Sequence, residues 1–211
     1  MLVYYVNGAM GYTWVGQTSD GTAVNPLGPI TLNGVANPAG VVDPDAFRLP
    51  DGRIRLAYLA GLTAPSNPAP RAICLADSAD GVNFTVVGSA YDIPAGDMIT
   101  DPSLARLADG SWLMAMSRGQ QTVMARSADG IRFTVYDTLM IGGVPEIAGL
   151  PDGRVRLYVC ASGIESYTSS NSGQSWTREA SVAPSGTLGA RIVCDPSYVP
   201  HAGLFVFKIA Q

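Results

Sequence analysis

The apolar positions of this chain fall in short runs, each broken by a cluster of Gly, Asp, Pro, Ser or Asn: LVYYV (2–6), IRLAYLA (54–60), WLMAMS (112–117), VRLYVCA (155–161) and LFVFKIA (204–210). None carries the 3.6-residue period of an amphipathic helix far enough to predict one. Short β-branched and aromatic runs bounded by turn residues predict β-strands. The stretch DPDAFRLPDGRIRLAYLA (43–60) is a strand, a Pro-Asp-Gly turn and a second strand. Asp-Gly between two apolar runs is a hairpin signal, because Gly supplies the positive φ that a tight turn needs.

The same pattern returns as DPSLARLADGSWLMAMSR (101–118), VPEIAGLPDGRVRLYVCA (144–161) and, more loosely, DPSYVPHAGLFVFKIA (195–210). A second motif alternates with it: SADGVNFTV (78–86) and SADGIRFTV (127–135), with looser relatives SSNSGQSWT (169–177) and TSDGTAV (18–24). The two turn types follow one another strictly, at Gly21, Gly52, Gly81, Gly110, Gly130, Gly153, Gly173 and Gly203. Two hairpins per repeat make four strands in roughly 43–60 residues, which predicts an all-β fold, a β-propeller of four-stranded blades. With strand A starting at the Asp-Pro motif, the first unit begins at strand B and the last stops after strand B. About seventeen strands result. Five blades with incomplete first and last blades fit best, and four is the other count. As one domain over 1–211, the units run approximately 1–37, 38–93, 94–139, 140–186 and 187–211.

Composition agrees. Hydrophobic residues make up 47% and charged residues 14%, with 24 Gly and 15 Pro, as many short strands and tight turns require. A net charge of −4 without a basic run argues against a nucleic-acid partner. No stretch reaches the roughly 18 apolar residues of a membrane span. The start, MLVYYVNGAM, has neither the basic nor the apolar region of a signal peptide. The reading is therefore of a soluble protein, with compartment and oligomeric state left open. Cys74, Cys160 and Cys194 lie in or beside apolar runs without metal-type spacing, so buried free thiols and a reducing compartment are expected.

The repeat sorts the acidic residues. Asp20, Asp51, Asp80, Asp109, Asp129 and Asp152 fall in the tight turns, where a carboxylate caps local amides. Asp43, Asp45, Asp101, Glu146 and Asp195 fall at the opposite end of strand A. Side chains alternate along strand A, so Asp43, Asp45, Phe47 and Leu49 are expected to share one side, polar at the start and apolar by the turn. Strand A is innermost in a propeller blade, so these carboxylates are expected to gather at one mouth of a central channel. Like charges gathered there would raise one another's pKa values and provide an acid and a base near neutral pH. The competing reading is that Asp before Pro only shapes the start of the strand. Asp45 and Glu146 replace a Ser of the other two copies, which favours a functional role for them.

Other loops join the same end. AGLTAPSNPAPR (60–71) ends in Arg71, a short loop offers Arg118, and SAYDIPAGDMIT (89–100) adds Tyr91, Asp92 and Asp97. Arg and Tyr beside carboxylates suit hydrogen bonding to, and stacking on, a sugar, so Asp45, Asp195, Arg71, Arg118, Tyr91 and Asp97 are the candidate substrate-binding residues. Trp14, Trp112 and Trp176 read as blade packing. His201 is the sole histidine, which leaves no Ser-His-Asp arrangement. No His or Cys cluster has metal-ligand spacing, so no cofactor is expected, although a carboxylate-lined channel could hold Ca2+.

SSNSGQSWT resembles the Asp-box of sialidase-like propellers, Ser-x-Asp-x-Gly-x-Thr-Trp, with Asn171 at the Asp position and Ser175 at the Thr position. SADGVNFT and SADGIRFT resemble its shortened form in sialidase-like and arabinanase/β-xylosidase-like propellers, and the DPxxxRLxDG hairpins resemble their inner hairpins. The resemblance spans nearly the whole chain. It implies a carbohydrate-active propeller. In the arabinanase/β-xylosidase-like hydrolases an Asp base, an Asp that tunes the acid and a Glu acid come from inner strands of different blades, and the order Asp43, Asp101, Glu146 is similar. FRLP (47–50) resembles a sialidase Phe-Arg-Ile-Pro motif, but the copies ARLA and AGLP make it the lead-in to a turn. Three functions follow as expectations: a glycosidase, a non-catalytic glycan- or ligand-binding propeller, or a protein-interaction propeller.

Overall fold

The computed structural model of the chain describes residues 1–8, 12–36, 40–61, 71–199 and 202–210. His201 and most of the 60–71 loop lie outside the described residues. The chain divides into two compact units, Met1–Asp97 and Met98–Gln211.

The first unit holds a three-stranded sheet and a six-stranded sheet. In the former, β1 (Leu2–Asn7), β2 (Tyr12–Gln17) and β3 (Asn25–Pro29) pair antiparallel. The larger sheet is a blade of four antiparallel strands, β6 (Val42–Arg48), β7 (Ile54–Ala60), β8 (Ala72–Ser78) and β9 (Asn83–Asp92). A short hairpin, β4 (Thr31–Leu32) and β5 (Val35–Ala36), extends it, and β4 runs parallel to β9. Sequence patterning missed this hairpin because two-residue strands carry no period. Val15, Ile30, Leu56, Tyr58, Ala76 and Phe84 form this unit's core, with Leu2 and Tyr4 packed against it.

The second unit repeats the blade twice. One copy is β10 (Thr100–Arg106), β11 (Trp112–Arg118), β12 (Gln121–Ser127) and β13 (Thr134–Leu139). The other is β14 (Gly143–Gly149), β15 (Val155–Ala161), β16 (Gly163–Ser169) and β17 (Thr177–Pro184). After a 3-10 turn at Thr187–Gly189, β18 (Ile192–Val199) and β19 (Leu204–Ala210) form a two-stranded sheet. Leu113, Ala115, Met124, Ile147, Leu157 and Val159 fill the space between the two complete blades. A second cluster, Tyr158, Ile164, Ala183 and Val193, takes in Tyr198, Phe205 and Phe207 from the last sheet. The strand order within each sheet is that of propeller blades, with the first and last sheets incomplete.

Burial follows strand position. The second strand of each complete blade is sealed along nearly its whole length, as in β7, β11 and β15. Residues that pack on both faces read as continuous apolar runs rather than alternating ones, which is why IRLAYLA and WLMAMS lack period. All eight glycines at the repeated turns have φ between 61° and 88°, the left-handed region that side chains with a Cβ avoid.

Candidate functional site

Each inner strand (β6, β10, β14 or β18) has two polar ends, and the two ends are built differently. At the turn end the Pro/Ala-Asp-Gly loops close through three repeated pairs of backbone bonds. Leu49 and Gly52, Leu107 and Gly110, and Leu150 and Gly153 donate across or within these loops at 2.8–3.0 Å. The carboxylates of Asp51, Asp109 and Asp152 accept the backbone N–H two residues on, at 2.9–3.1 Å. The backbone N–H of Arg53 holds the Asp51 carboxyl below its usual range, and the side chains of Ser111 and Arg154 do most of the same for Asp109 and Asp152.

The Ser-x-Asp-x-Gly turns are equally local. Ser78 Oγ donates to Asp80 Oδ1 (2.9 Å) and accepts from Gly81 N (2.8 Å), while Asp80 Oδ1 also takes the amides of Val82 and Asn83. Ser127 and Asp129 repeat this with Gly130, Ile131 and Arg132. Ser169 and Asn171 repeat it with Gly173 and Ser175, so an amide oxygen serves where the other copies use a carboxylate. The Asn83 amide lowers the Asp80 carboxyl far below the ordinary range, and the Ile131 amide lowers that of Asp129. These aspartates are structural, as the sequence indicated.

At the start of the inner strand the structure departs from expectation. Asp43, Asp101, Val144 and Asp195 all have positive φ, at 51°, 47°, 45° and 51°. The pairing register of each inner strand shifts at the same place, between Val42 and Asp45, Thr100 and Ser103, Gly143 and Glu146, and Cys194 and Ser197. These are β-bulges, in which one extra residue bends the strand and re-aims the side chains that follow. Strict alternation of Asp43 with Asp45 therefore fails, because the bulge lies between them. Asp suits the site because it is among the few L-residues that tolerate the left-handed region. The Asp-Pro motif thus has a backbone reason to recur. A threonine on another strand anchors the carbonyl two residues ahead of the bulge: Thr13 Oγ1 donates to Val41 O and Thr122 Oγ1 to Gly142 O, both at 2.8 Å.

Within the second unit three successive inner strands meet at Glu146. Its Oε2 accepts from Ser103 Oγ on β10 (3.1 Å), and its Oε1 accepts from the backbone N–H of Tyr198 on β18 (3.1 Å). Ser103, only 2% exposed, also accepts the Ile147 N–H at 3.0 Å. The Ser103 proton is therefore directed at Glu146. The Glu146 carboxyl is thus an acceptor oriented by two donors from neighbouring strands. Ser103 and Tyr198 were not singled out from sequence. Ser103 was visible only as the serine aligned with Glu146, and lateral contacts between repeats leave no spacing signal.

The remaining candidates are placed as follows. Asp101 is half-buried on β10, while Asp195 is exposed on β18 and lies 3.6 Å from Lys208 Nζ. Arg118 ends β11, half-buried, and pairs in register with Gln121. In the first unit Asp43 and Asp45 lie half-buried on β6, and Arg71 Nη1 donates to the Asp97 carbonyl at 3.4 Å, so Arg71 and Asp97 come together. Tyr91 and Asp92, expected in a loop, belong to β9. Among the described residues no group of three or more His, Cys, Asp or Glu is placed to hold a metal ion, and no helix is long and apolar enough to cross a membrane.

The cysteine expectation is corrected. Cys160 on β15 and Cys194 on β18 form a disulfide, and the Asp195 N–H points to Cys160 Sγ at 3.3 Å. Two cysteines 34 residues apart on different repeats show no motif, yet the fold brings their Cα atoms to 5.3 Å, inside the range a disulfide needs. Cys74 remains a thiol, with its pKa pushed up by burial.

No protein-family model matches the chain, and no curated protein is significantly similar to it. Solved structures are similar in fold. One is a Dyadobacter fermentans DSM 18053 protein of unknown function, at 19% identity and TM-score 0.66 over 92% of this chain and 58% of that one. Another is a family 117 glycoside hydrolase of Zobellia galactanivorans, at 15% identity and TM-score 0.65 over 93% and 68%. A third is fructan 1-exohydrolase IIa of Cichorium intybus, at 12% identity and TM-score 0.65 over 93% and 44%. The chain thus spans only part of these proteins, about half to two-thirds of their length. At such identities the likeness establishes the fold, a β-propeller shared with glycoside hydrolases.

Proposed function

We propose that this chain is a carbohydrate-handling propeller of the glycoside hydrolase-like kind, working from the bulged starts of its inner strands. The supporting observation is the fourfold bulge, just past which every inner strand carries a polar residue (Asp45, Ser103, Glu146 and Ser197), with Glu146 oriented by two donors. Oriented carboxylates are what sugar hydroxyls and a developing oxocarbenium charge require. In this reading Asp101 and Glu146 serve the second unit, and Asp43 holds the matching repeat position in the first. Sugar binding is assigned to Asp45, Arg71, Tyr91 and Asp97 within the first unit and to Arg118 and Asp195 within the second. The likeness of the Ser-x-Asp-x-Gly turns to Asp-boxes adds a sialidase-like flavour to the scaffold and none to the chemistry.

The test is hydrolysis of fructo-, arabino- and xylo-oligosaccharides, with binding measured in parallel. If the protein is a glycosidase, Glu146→Gln and Asp101→Asn each lower turnover by roughly 10²–10⁴-fold with the fold retained. Full activity in both would end the enzymatic reading. A second reading, non-catalytic glycan binding, is favoured by one specific fact: both Glu146 oxygens already accept hydrogen bonds within the protein. It predicts binding without turnover, weakened in the same two variants.

A further inference from the structure

The last sheet is joined to the blade before it where both inner strands bulge. Cys160 lies opposite Gly143 in the β14–β15 register, next to the β14 bulge, and Cys194 lies at the bulge of β18. Their disulfide therefore links two bulged starts, and on the same strand Tyr198 donates its backbone N–H to Glu146 at 3.1 Å. Aromatic packing adds to this attachment, with the Tyr198 and Phe205 rings 5.6 and 4.8 Å from that of Tyr158. Ile192, Val206 and Ile209 of the same sheet stay exposed. Two strands alone make a marginal sheet, so β18 and β19 depend on the attachment.

The two sulfurs are not equivalent. Cys160 is 7% exposed and its Sγ accepts the Asp195 N–H at 3.3 Å, whereas Cys194 is only half-buried. A donor aimed at one sulfur favours the charge that this sulfur gains as a leaving group. Lys208, cross-strand from Cys194, lies 3.6 Å from the Asp195 carboxylate and offsets the charge that would repel an anionic thiolate.

We propose that Cys160–Cys194 is a thiol-exchange site that governs Glu146: a low-molecular-weight thiol opens the bond, β18 loosens, and Glu146 loses its Tyr198 donor. The incoming thiolate bonds to Cys194 Sγ, the disulfide breaks, and its electron pair leaves on Cys160 Sγ, which takes up a proton. A second thiolate attacks the small-molecule sulfur of the mixed disulfide and releases Cys194, also as a thiol. Two thiols become one disulfide while the protein gains two electrons and two protons. The exchange is independent of which ligand Glu146 meets.

The test treats the folded chain with reduced glutathione, quenches with iodoacetamide and locates the adducts by mass spectrometry. Glutathione on Cys194 with Cys160 alkylated is the expected product. Glutathione mainly on Cys160, or a disulfide that stays closed, overturns the proposal. The fully reduced chain is then followed by amide hydrogen exchange, with circular dichroism reporting the fold. The Tyr198 N–H is expected to lose about tenfold or more protection beyond any loss at the β11 and β12 amides, which report on the unit as a whole. Equal losses at all of these, or loss of the sheet signal, make the disulfide a general staple and overturn the regulatory role. Cys160→Ser and Cys194→Ser should each reproduce the reduced pattern without added thiol, and unchanged Tyr198 exchange in both also overturns it.

Discussion

The two ends of an inner strand spend their aspartates on different problems. At the turn end the carboxylate itself does the work, accepting hydrogen bonds from the residue two positions on that hold its pKa below the usual range. At the strand start the side chain matters less than the backbone it permits, because the residue must tolerate positive φ to make the bulge. The Ser-x-Asp-x-Gly turns between the outer strands exchange carboxylate for amide, as Asn171 already does. The inner-strand start can exchange Asp for Asn but not for a β-branched residue without a cost. Identical letters in a repeat need not carry identical physics.

The largest test of this contrast removes the staple at the strand-start end. Opening Cys160–Cys194 by a double Ser substitution should cost about 3–4 kcal/mol, the chain-entropy value for a closed loop of this length, read from denaturant midpoints. Next come the turn glycines. A Cβ on Gly81 would run into Leu2, and on Gly130 it would meet the Trp112 ring at 2.7 Å, whereas at Gly52 it meets nothing within 4 Å. Ala at Gly81 or Gly130 should cost about 2–3 kcal/mol and at Gly52 about 1 kcal/mol. Equal losses at all three would show that packing around the turns contributes nothing. Asp101→Val should cost about 1–2 kcal/mol and Asp101→Asn almost nothing. A reversed order would break the backbone explanation of the strand-start aspartates.

The smallest effect is the sharpest. Asp80→Asn and Asp129→Asn should leave stability at pH 7 nearly unchanged, because Asn171 shows that an amide oxygen fits the same turn. Their folded-state pKa values are depressed, so the stability they add is present above the unfolded value near 3.8 and lost as pH falls below it. The double variant should therefore show a flatter loss of stability between about pH 4 and pH 2, measured by urea unfolding. A wild-type slope in the variant would refute the assignment.

Much of the fold was legible because turns are local. Gly at a position of positive φ and an apolar run on either side suffice to place each hairpin, and four such units leave few alternatives to a propeller. The bulges were not legible. Alternation was assumed through Asp43 and Asp45, and an extra residue leaves no trace in apolar spacing when both neighbours are polar. The disulfide and the Ser103–Glu146–Tyr198 contacts escaped for another reason: they join different repeats, and self-comparison reveals equivalence, not adjacency. Tyr91 was misplaced because β9, at ten residues, runs further than its pattern suggests.

The parallel pairing of β4 with β9 has its own consequence. An outermost strand offers a row of unsatisfied amides and carbonyls to any passing chain, which is how sheet proteins come to aggregate. β9 covers the start of that row, Asn83 and Phe84, with β4, fastened by Thr31 Oγ1 donating to Asn83 Oδ1 and by the Val86 amide donating to Asn33 Oδ1. β17, at the margin of its own sheet, places Arg178 and Glu179 along the strand instead, paired with Glu165 and Arg156. One blade guards its margin with backbone and another with charge, so added salt should promote self-association through β17 sooner than through β9.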